Sequence, residues 1–97
     1  MIRSFGDRRT EDLFHGRDTS RTRRLPVQVV ERALVKLDML HAAEALRDLR
    51  VSPGNRLETL RGPWVGWRSI RVNDQWRLIF RWSDGDAHGV ALVDYHG

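Results

Sequence analysis

The chain has 97 residues, of which 40% are hydrophobic, so it is long enough for one modest core but not for a second domain or a large enclosed cofactor. Cysteine is absent, which excludes a disulfide framework and a thiolate metal site. Seventeen Lys and Arg residues against thirteen Asp and Glu residues give a net charge of +4. This excess favours a polyanionic partner, and a basic protein without a nucleic-acid role is the alternative.

Apolar runs in the sequence are short. None approaches the ~20 residues that a membrane span needs, and the N-terminal residues contain no apolar signal segment. We therefore expect a cytoplasmic protein that does not enter a membrane.

The N-terminal quarter predicts a short strand, a helix and a polar segment. Ile2 to Phe5 is half apolar and predicts a brief edge strand. Asp7 can cap a helix that runs to Phe14 and is ended by Gly16. Residues 17–24, rich in arginine, predict either a solvated loop or a basic patch for RNA phosphate or an acidic partner.

The clearest helix begins after Pro26, a residue suited to a first helical turn. Its apolar residues recur at intervals of three and four, which predicts one face packed on a sheet. These residues are Val27, Val30, Leu34, Leu37 and Leu40 or His41. A second short helix is predicted over Ala42 to Leu49, ended by Pro53 and Gly54.

The C-terminal half predicts an antiparallel meander. A short strand is expected within Asn55 to Leu60, and from Gly66 apolar and polar residues alternate. Asn73-Asp74 is a tight-turn pair suited to positive φ angles, and residues 83–86 form a second turn. Together the elements predict an α+β fold in which N-terminal helices pack on an antiparallel C-terminal sheet.

Alternation assigns the side chains of this meander to two faces. In the return strand the expected core side comprises Trp76, Leu78, Phe80 and Trp82, with Arg77, Ile79 and Arg81 on the other side. The following run, Val90 to Val93, is continuously apolar and predicts a strand covered on both faces.

Asp94, Tyr95 and His96 follow this last strand directly. If the strand persists, Asp94 and His96 share a face with Tyr95 opposite; if the backbone curls, all three line one pocket. A carboxylate, a phenol and an imidazole beside arginines suit RNA cleavage through the ribose 2′-hydroxyl, which requires a base, an acid and a cation on the phosphate. Polar residues that simply end a strand are the alternative. No further ligands lie at a suitable spacing, so we expect neither a metal nor another cofactor.

Several segments resemble the HigB branch of the RelE/ParE toxin superfamily of bacterial type II toxin-antitoxin systems. The resemblance rests on NRLETLRG from Asn55, on GWRSIRVNDQWRLIFRW from Gly66 and on the terminal VDYH, and it covers nearly the whole chain. It implies a compact RelE-like fold with a single toxin domain over residues 1–97. Members of this branch are small ribonucleases that cut mRNA in the ribosomal A site and are silenced by an antitoxin with a helix-turn-helix domain, so the implied partners are a HigA-like antitoxin, the ribosome and mRNA.

The resemblance also assigns roles to residues. It implies that Arg77 stabilises the scissile phosphate and that Asp94, Tyr95 and His96 form the acid-base and substrate-orienting group. The arginines expected to bind RNA are Arg61, Arg68, Arg71 and Arg81. Where some relatives carry a histidine, this chain has Glu58; a carboxylate there is either a base or a surface residue without a catalytic part, and we expect the second.

Two other functions are compatible with the sequence. A ParE-like protein would inhibit DNA gyrase by binding alone, although a pure binder has no chemical need for the terminal Asp-Tyr-His run. A basic RNA-binding module is the other alternative, but Trp76, Phe80 and Trp82 are expected in the core and so supply no aromatic platform.

Overall fold

Four antiparallel strands form a sheet in the order β1-β2-β3-β4 in a computed structural model that describes residues 1–95. The strands are β1 (Glu58–Thr59), β2 (Trp67–Arg71), β3 (Trp76–Ser83) and β4 (Asp86–Asp94). The helices are α1 (Arg8–Phe14), α2 (Ser20–Arg23), α3 (Val27–Ala42) and α4 (Leu46–Arg50). Short 3-10 turns cover Pro53–Asn55 and Gly62–Trp64. The predicted α+β architecture and the meander are confirmed.

The two hairpin turns are closed in different ways, one by a side chain and the other by left-handed backbone. At the β2–β3 turn, Asn73 Oδ1 accepts hydrogen bonds from the backbone N–H groups of Gln75 (2.8 Å) and Trp76 (2.7 Å). The prediction of positive φ at Asn73-Asp74 is wrong, because this side chain closes the turn without left-handed backbone. Left-handed backbone occurs instead in the β3–β4 turn, at Asp84 (φ 52°) and Gly85 (φ 79°).

A bulge divides β4 between its pairings with Ile79 and Arg81. Ile79 pairs with Ala91, whereas Arg81 pairs with His88, so β4 carries one extra residue in this interval. Gly89 has φ +65° there, a conformation that suits glycine at a bulge.

The outer edge of β4 is covered by the N-terminal residues. Ile2 and Phe5 form isolated parallel bridges to Ala87 and Val90, where the sequence predicts a brief edge strand. The first residues thus lie at the expected edge but pair at two separated points, on either side of the Gly89 bulge.

Helix α1 continues the cover of this edge. The backbone N–H of Leu92 donates to Thr10 Oγ1 (2.8 Å), and Arg9 Nη2 donates to the carbonyl oxygen of Leu92 (3.0 Å). Two side chains therefore take the place of a neighbouring strand and satisfy a backbone that is buried.

The core lies between the helices and one face of the sheet. The face of α3 that is buried there comprises Val29, Ala33, Leu37 and Leu40. The predicted stripe is partly wrong, because Val27 is 68% exposed and Leu34 is only half-buried. Ala33, which the predicted stripe did not include, is fully buried in the core cluster.

The segments that follow α3 are shorter than predicted. Helix α3 continues to Ala42, the chain is extended at Ala43, and α4 begins only at Leu46. Asp48 Oδ2 accepts from the backbone N–H groups of Glu44 (2.9 Å) and Ala45 (3.0 Å), which fixes this restart. The strand expected within Asn55 to Leu60 is reduced to the two residues of β1. Among residues 1–95, no helix is long and apolar enough to cross a membrane.

The arginine-rich segment 17–24 is helical in part, where the sequence left a solvated loop or a basic patch open. It contains α2, and three of its four arginines contact nearby carboxylates. Asp12, 6% exposed, contacts Arg17 (3.5 Å) and Arg21 (3.4 Å) and accepts from Thr19 Oγ1 (3.1 Å). Arg23 Nε lies 3.0 Å from Asp18. Internal ion pairs thus use much of the charge that the sequence places here.

Thr10→Val is predicted to destabilise the protein by about 1–3 kcal/mol, because it removes the acceptor for a buried backbone N–H without changing the side-chain shape. Urea unfolding followed by tryptophan fluorescence measures the effect. Ser83→Ala removes an exposed hydroxyl and is the control, which should change the free energy of unfolding by less than about 0.5 kcal/mol. Equal stability of the two variants would show that the Leu92 amide does not depend on Thr10.

Asp12→Asn is predicted to lower stability at neutral pH and to flatten the acid limb of the stability profile. Burial alone would raise the pKa of Asp12, but hydrogen bonds from Thr19 and Arg17 and the charges of Arg21 and Arg17 outweigh it, so the pKa lies below 3.8. A carboxyl with a depressed folded-state pKa stabilises the fold above its unfolded pKa and loses this contribution as pH falls through the folded pKa.

The difference in unfolding free energy between the parent and Asp12→Asn should therefore be constant above about pH 5 and shrink below about pH 4. Denaturant titrations at a series of pH values test it. The exposed Asp38→Asn makes the same change of charge elsewhere and should leave the profile unchanged. A difference between parent and Asp12→Asn that persists undiminished at pH 2 would contradict the assignment.

Candidate functional site

The site forms on the face of the sheet opposite the helices, which we call the open face. Residues paired across antiparallel strands point to the same side, so the register identifies this face. Its central row is Glu58, Ser69, Ile79 and Ala91. On one side of that row lie Arg71, Arg77 and Val93, and on the other Trp67, Arg81 and His88. The prediction that Arg77, Ile79 and Arg81 face away from the core side is confirmed.

A cleft of about 520 Å³ lies on this face at the β1 edge and the end of β4. The residues that line it are Glu58, Thr59, Leu60, Arg61, Trp64, Ile79, Val93, Asp94 and Tyr95. Its floor is apolar, formed by Ile79 and Val93, and its rim carries charged and aromatic side chains. The volume is within the ordinary range of small-ligand pockets.

Arg77 is the cation fixed beside this cleft. Its Nη1 donates to Ser69 Oγ (3.2 Å) and to the carbonyl oxygen of Arg56 (3.4 Å), and its Nη2 donates to Glu58 Oε1 (3.3 Å). The Tyr95 ring lies over the guanidinium, with 4.8 Å from Cζ to the ring centroid. Only 11% of the Arg77 side chain is exposed, so its position is set by the sheet rather than by solvent.

Glu58 belongs to this site, which we did not expect from the sequence. Its carboxylate is 48% exposed, lines the cleft and contacts Arg77. The position is set by pairing, because Glu58 opposes Ser69 in the register of β1 with β2. An accessible acceptor beside a fixed cation is an arrangement that can take up a proton next to a bound anion.

The C-terminal group lies at the end of β4. Asp94 is the partner of Trp76 in the strand register, and its Oδ2 accepts from Gln75 Nε2 (3.0 Å). The backbone N–H of Tyr95 donates to the carbonyl oxygen of Gln75 (2.6 Å), and its side chain is 41% exposed over Arg77. Asp94 and Tyr95 both line the cleft. His96, the third member of the predicted group, lies outside the described residues.

The four arginines predicted to bind RNA do not lie together. Arg61 lines the cleft and is exposed. Arg71 is on the open face, where it pairs with Asp74 and holds the pKa of that carboxyl below 3.8, chiefly by a hydrogen bond. Arg81 is on the same face, with its guanidinium 5.3 Å from the centroid of Trp67.

Arg68 is separated from the other three. Its register partners are Thr59 and Phe80, and Phe80 is fully buried under the helices. Arg68 Nη1 donates to Thr59 Oγ1 (3.0 Å). Alternation along β2 therefore places Arg68 on the helix side of the sheet, away from Arg77.

Two tryptophans of the open face were not assigned to the site from the sequence. Trp64 lines the cleft and is 48% exposed, and its ring meets that of Trp67 edge to face, with centroids 5.6 Å apart. A large aromatic residue in a loop bounded by Gly62-Pro63 and Gly66 is the signal that could have identified Trp64, since loops that carry such residues often bind ligands. Among residues 1–95 no group of three His, Asp or Glu side chains is arranged to hold a metal ion.

Curated proteins similar in sequence extend along nearly the whole chain. Toxin HigB-1 of Vibrio cholerae serotype O1 is 46% identical over 95 residues, which is 98% of this chain and 94% of that protein. Endoribonuclease HigB of Proteus vulgaris is 32% identical over 96 residues, covering 99% of this chain and 100% of that protein.

Solved structures share the fold at low sequence identity. A YafQ mutant from E. coli superposes with a TM-score of 0.64 at 14% identity, covering 98% of this chain and 94% of that one. The heterotetrameric YoeB–YefM toxin-antitoxin complex from Staphylococcus aureus contains a chain that superposes with a TM-score of 0.60 at 17% identity, covering 100% and 99%.

The family model of the HigB-like toxins, described as RelE-like toxins of the type II toxin-antitoxin system HigB, matches residues 3–96. The match includes both the β1 segment with Glu58 and the β3 strand with Arg77. The chain therefore belongs to the HigB-like toxin family.

Proposed function

We propose that residues 1–97 form a single toxin domain that cleaves mRNA as an endoribonuclease in the ribosomal A site. The observation that carries the proposal is the fixed guanidinium of Arg77, held between the Glu58 carboxylate and the Tyr95 ring beside an open cleft. A cation, a proton acceptor and a phenol side by side suit phosphodiester cleavage by the neighbouring 2′-hydroxyl. The Proteus vulgaris relative, named as an endoribonuclease, supports the same activity.

Arg77 holds the scissile phosphate in this proposal. A guanidinium has five N–H donors, and the hydrogen bonds within the described residues use two on Nη1 and one on Nη2. The remaining N–H groups on Nη2 and Nε are those that a phosphate oxygen would accept from. Because 11% of the side chain is exposed, water competes little with such a contact. Arg61 at the rim adds a second, solvated positive charge.

Glu58 accepts the proton of the attacking 2′-hydroxyl. The 2′-oxygen then forms a bond to phosphorus as the bond from phosphorus to the 5′-oxygen breaks, which leaves a 2′,3′-cyclic phosphate and a 5′-hydroxyl. The leaving 5′-oxygen takes a proton from the group formed by Asp94, Tyr95 and His96. The reaction needs no oxidant or cofactor. The Glu58 carboxylate gains one proton, and the C-terminal group loses one.

A helix-turn-helix antitoxin of the HigA type silences the toxin, and both act in the cytoplasm, where translating ribosomes are found. Membership of a type II toxin-antitoxin family supports an antitoxin partner, as does the fold shared with the YoeB–YefM complex. An acidic antitoxin segment would be attracted by the net charge of +4.

Arg77→Ala is predicted to lower the rate of mRNA cleavage by about 10²- to 10³-fold, because it removes the donor to the charged phosphate in the transition state. Programmed ribosomes with an end-labelled mRNA give the rate, and growth after induction without antitoxin gives the toxicity. Asp94→Ala and His96→Ala are expected to relieve growth arrest as well.

Circular dichroism establishes that each variant is folded. Arg77→Lys is a second variant, which keeps the charge and disturbs the packing around Ser69 less. The control is Arg50→Ala, an exposed arginine on α4 that should retain full toxicity. Full activity of folded Arg77→Ala, or inhibition of DNA gyrase by the purified protein without mRNA cleavage, would overturn the proposal.

Glu58→Gln is predicted to reduce the cleavage rate by about 10²- to 10⁴-fold while binding persists. The amide keeps an oxygen that accepts from Arg77 but is no longer a base, so the fold and the guanidinium position are preserved. Single-turnover rates over a range of toxin concentrations separate the rate constant from affinity. Glu44→Gln, an exposed change outside the cleft, is the matched control. An unchanged rate in Glu58→Gln would assign the base to the C-terminal group instead.

A further inference from the structure

Trp64 presents an aromatic surface to the cleft that neither the fold nor the proposed chemistry uses. Its side chain is 48% exposed, although a tryptophan in a domain of this kind is usually largely buried. It lines the same cleft as Glu58 and Tyr95, so a nucleotide bound for cleavage lies beside it.

Backbone hydrogen bonds order the loop that carries Trp64. The backbone N–H of Leu60 donates to the carbonyl oxygen of Trp67 (2.9 Å), which closes the loop between β1 and β2. Within it, the N–H of Trp64 donates to the Arg61 carbonyl (3.3 Å) and that of Val65 to the Gly62 carbonyl (3.2 Å). Trp64 is thus placed before any ligand binds, which lowers the entropy cost of binding.

The ring of Trp64 is also supported from the sheet. It meets Trp67 edge to face, with an interplanar angle of 88°. Trp67 is in turn packed between the guanidinium of Arg81 (5.3 Å) and the backbone at Gly89, where an added Cβ would lie 3.1 Å from the ring. The support fixes the ring position and leaves the exposed surface of Trp64 available.

We propose that Trp64 stacks on a nucleobase of the RNA next to the scissile phosphate. The stacked base contributes binding energy, which an RNA without a base at that position would lose. The inference rests on the proposed function, because it takes the cleft to hold RNA. Every base has a π face, and arginines beside exposed aromatic rings are the combination that proteins use on single-stranded nucleic acid. Arg61 at the rim and Arg77 behind the cleft supply the positive charge for the adjoining phosphates.

The same exposed ring could instead contact the antitoxin. RNA is favoured because Trp64 shares its cleft with the proposed proton acceptor and with Tyr95, whereas a protein contact has no need of that proximity. The two occupants give different results when the base itself is removed from the RNA.

The test measures affinity for programmed ribosomes with an mRNA whose A-site codon carries 2′-deoxyribose and is not cleaved. Trp64→Ala and Trp64→Leu are expected to weaken binding roughly 5- to 150-fold, while Trp64→Phe, which keeps a ring, weakens it less than about 5-fold. An abasic nucleotide at each codon position in turn should weaken binding of the parent by a similar factor at one position. At that position Trp64→Ala should cause no further loss. Val65→Ala, in the same loop, should bind as the parent does.

Additive losses from Trp64→Ala and from every abasic position would overturn the inference, as would unchanged affinity of Trp64→Ala. Loss of antitoxin binding in Trp64→Ala with unchanged RNA affinity would assign the ring to the protein partner and overturn it too. Parent protein that binds the 2′-deoxy mRNA but does not cleave its 2′-hydroxyl counterpart contradicts the proposed function alone. Parent protein that binds neither the 2′-deoxy mRNA nor its 2′-hydroxyl counterpart contradicts both the inference and the proposed function.

Discussion

Strand β3 is the element on which both sides of the molecule depend. It pairs with β2 and β4, and its alternate side chains point to opposite faces. Leu78 and Phe80 are fully buried under the helices, while Arg77 and Ile79 belong to the open face. A one-residue slip would bring an arginine into the core, so the burial of the apolar set fixes the position of Arg77 as well. The core and the candidate site are therefore specified by a single register.

The covered outer edge of β4 serves both stability and the site. A strand edge with unpaired N–H and carbonyl groups is prone to join another chain, and here the first residues and α1 occupy it. The contacts of Thr10 and Arg9 hold Leu92, two residues before Asp94. The first residues and α1 therefore cover the edge of the sheet and also hold the strand that carries Asp94 and leads to Tyr95.

The positive charge is distributed less evenly than the composition indicates. Arg17, Arg21 and Arg23 are paired with the carboxylates of Asp12 and Asp18 on the helical side of the molecule. At the cleft, Arg61 is exposed and Arg77 is bound to a carboxylate that is itself accessible. Local pairing therefore distinguishes arginines that stabilise the fold from those placed where a phosphate can reach them. Net charge favours a polyanion, but only contacts show which face meets it.

The sequence by itself determined the α+β class, the three long strands, the long helix and the assignment of Leu78 and Phe80 to the core and of Arg77 to the opposite face. These features follow from local periodicity, because alternation and three-and-four spacing reflect which side of an element is buried. The family resemblance, which rests on local motifs, was confirmed along nearly the whole chain. The burial of Val27 and the backbone conformation of the Asn73-Asp74 turn were not predicted correctly. A helix rotation depends on what the helix packs against, and the Asn73 side chain closes the turn without positive φ.

Only the tertiary structure decided which distant residues meet. Glu58 is 19 residues from Arg77 in the sequence, and strand pairing brings their side chains to 3.3 Å. Trp64 joins Tyr95 in one cleft for the same reason, since the β1–β2 loop and the end of β4 lie on one face. Arg68 lies on the helix side of the sheet, outside the site, because its register partner is the buried Phe80. Such contacts arise from register and packing between segments far apart in the chain, which no local pattern encodes.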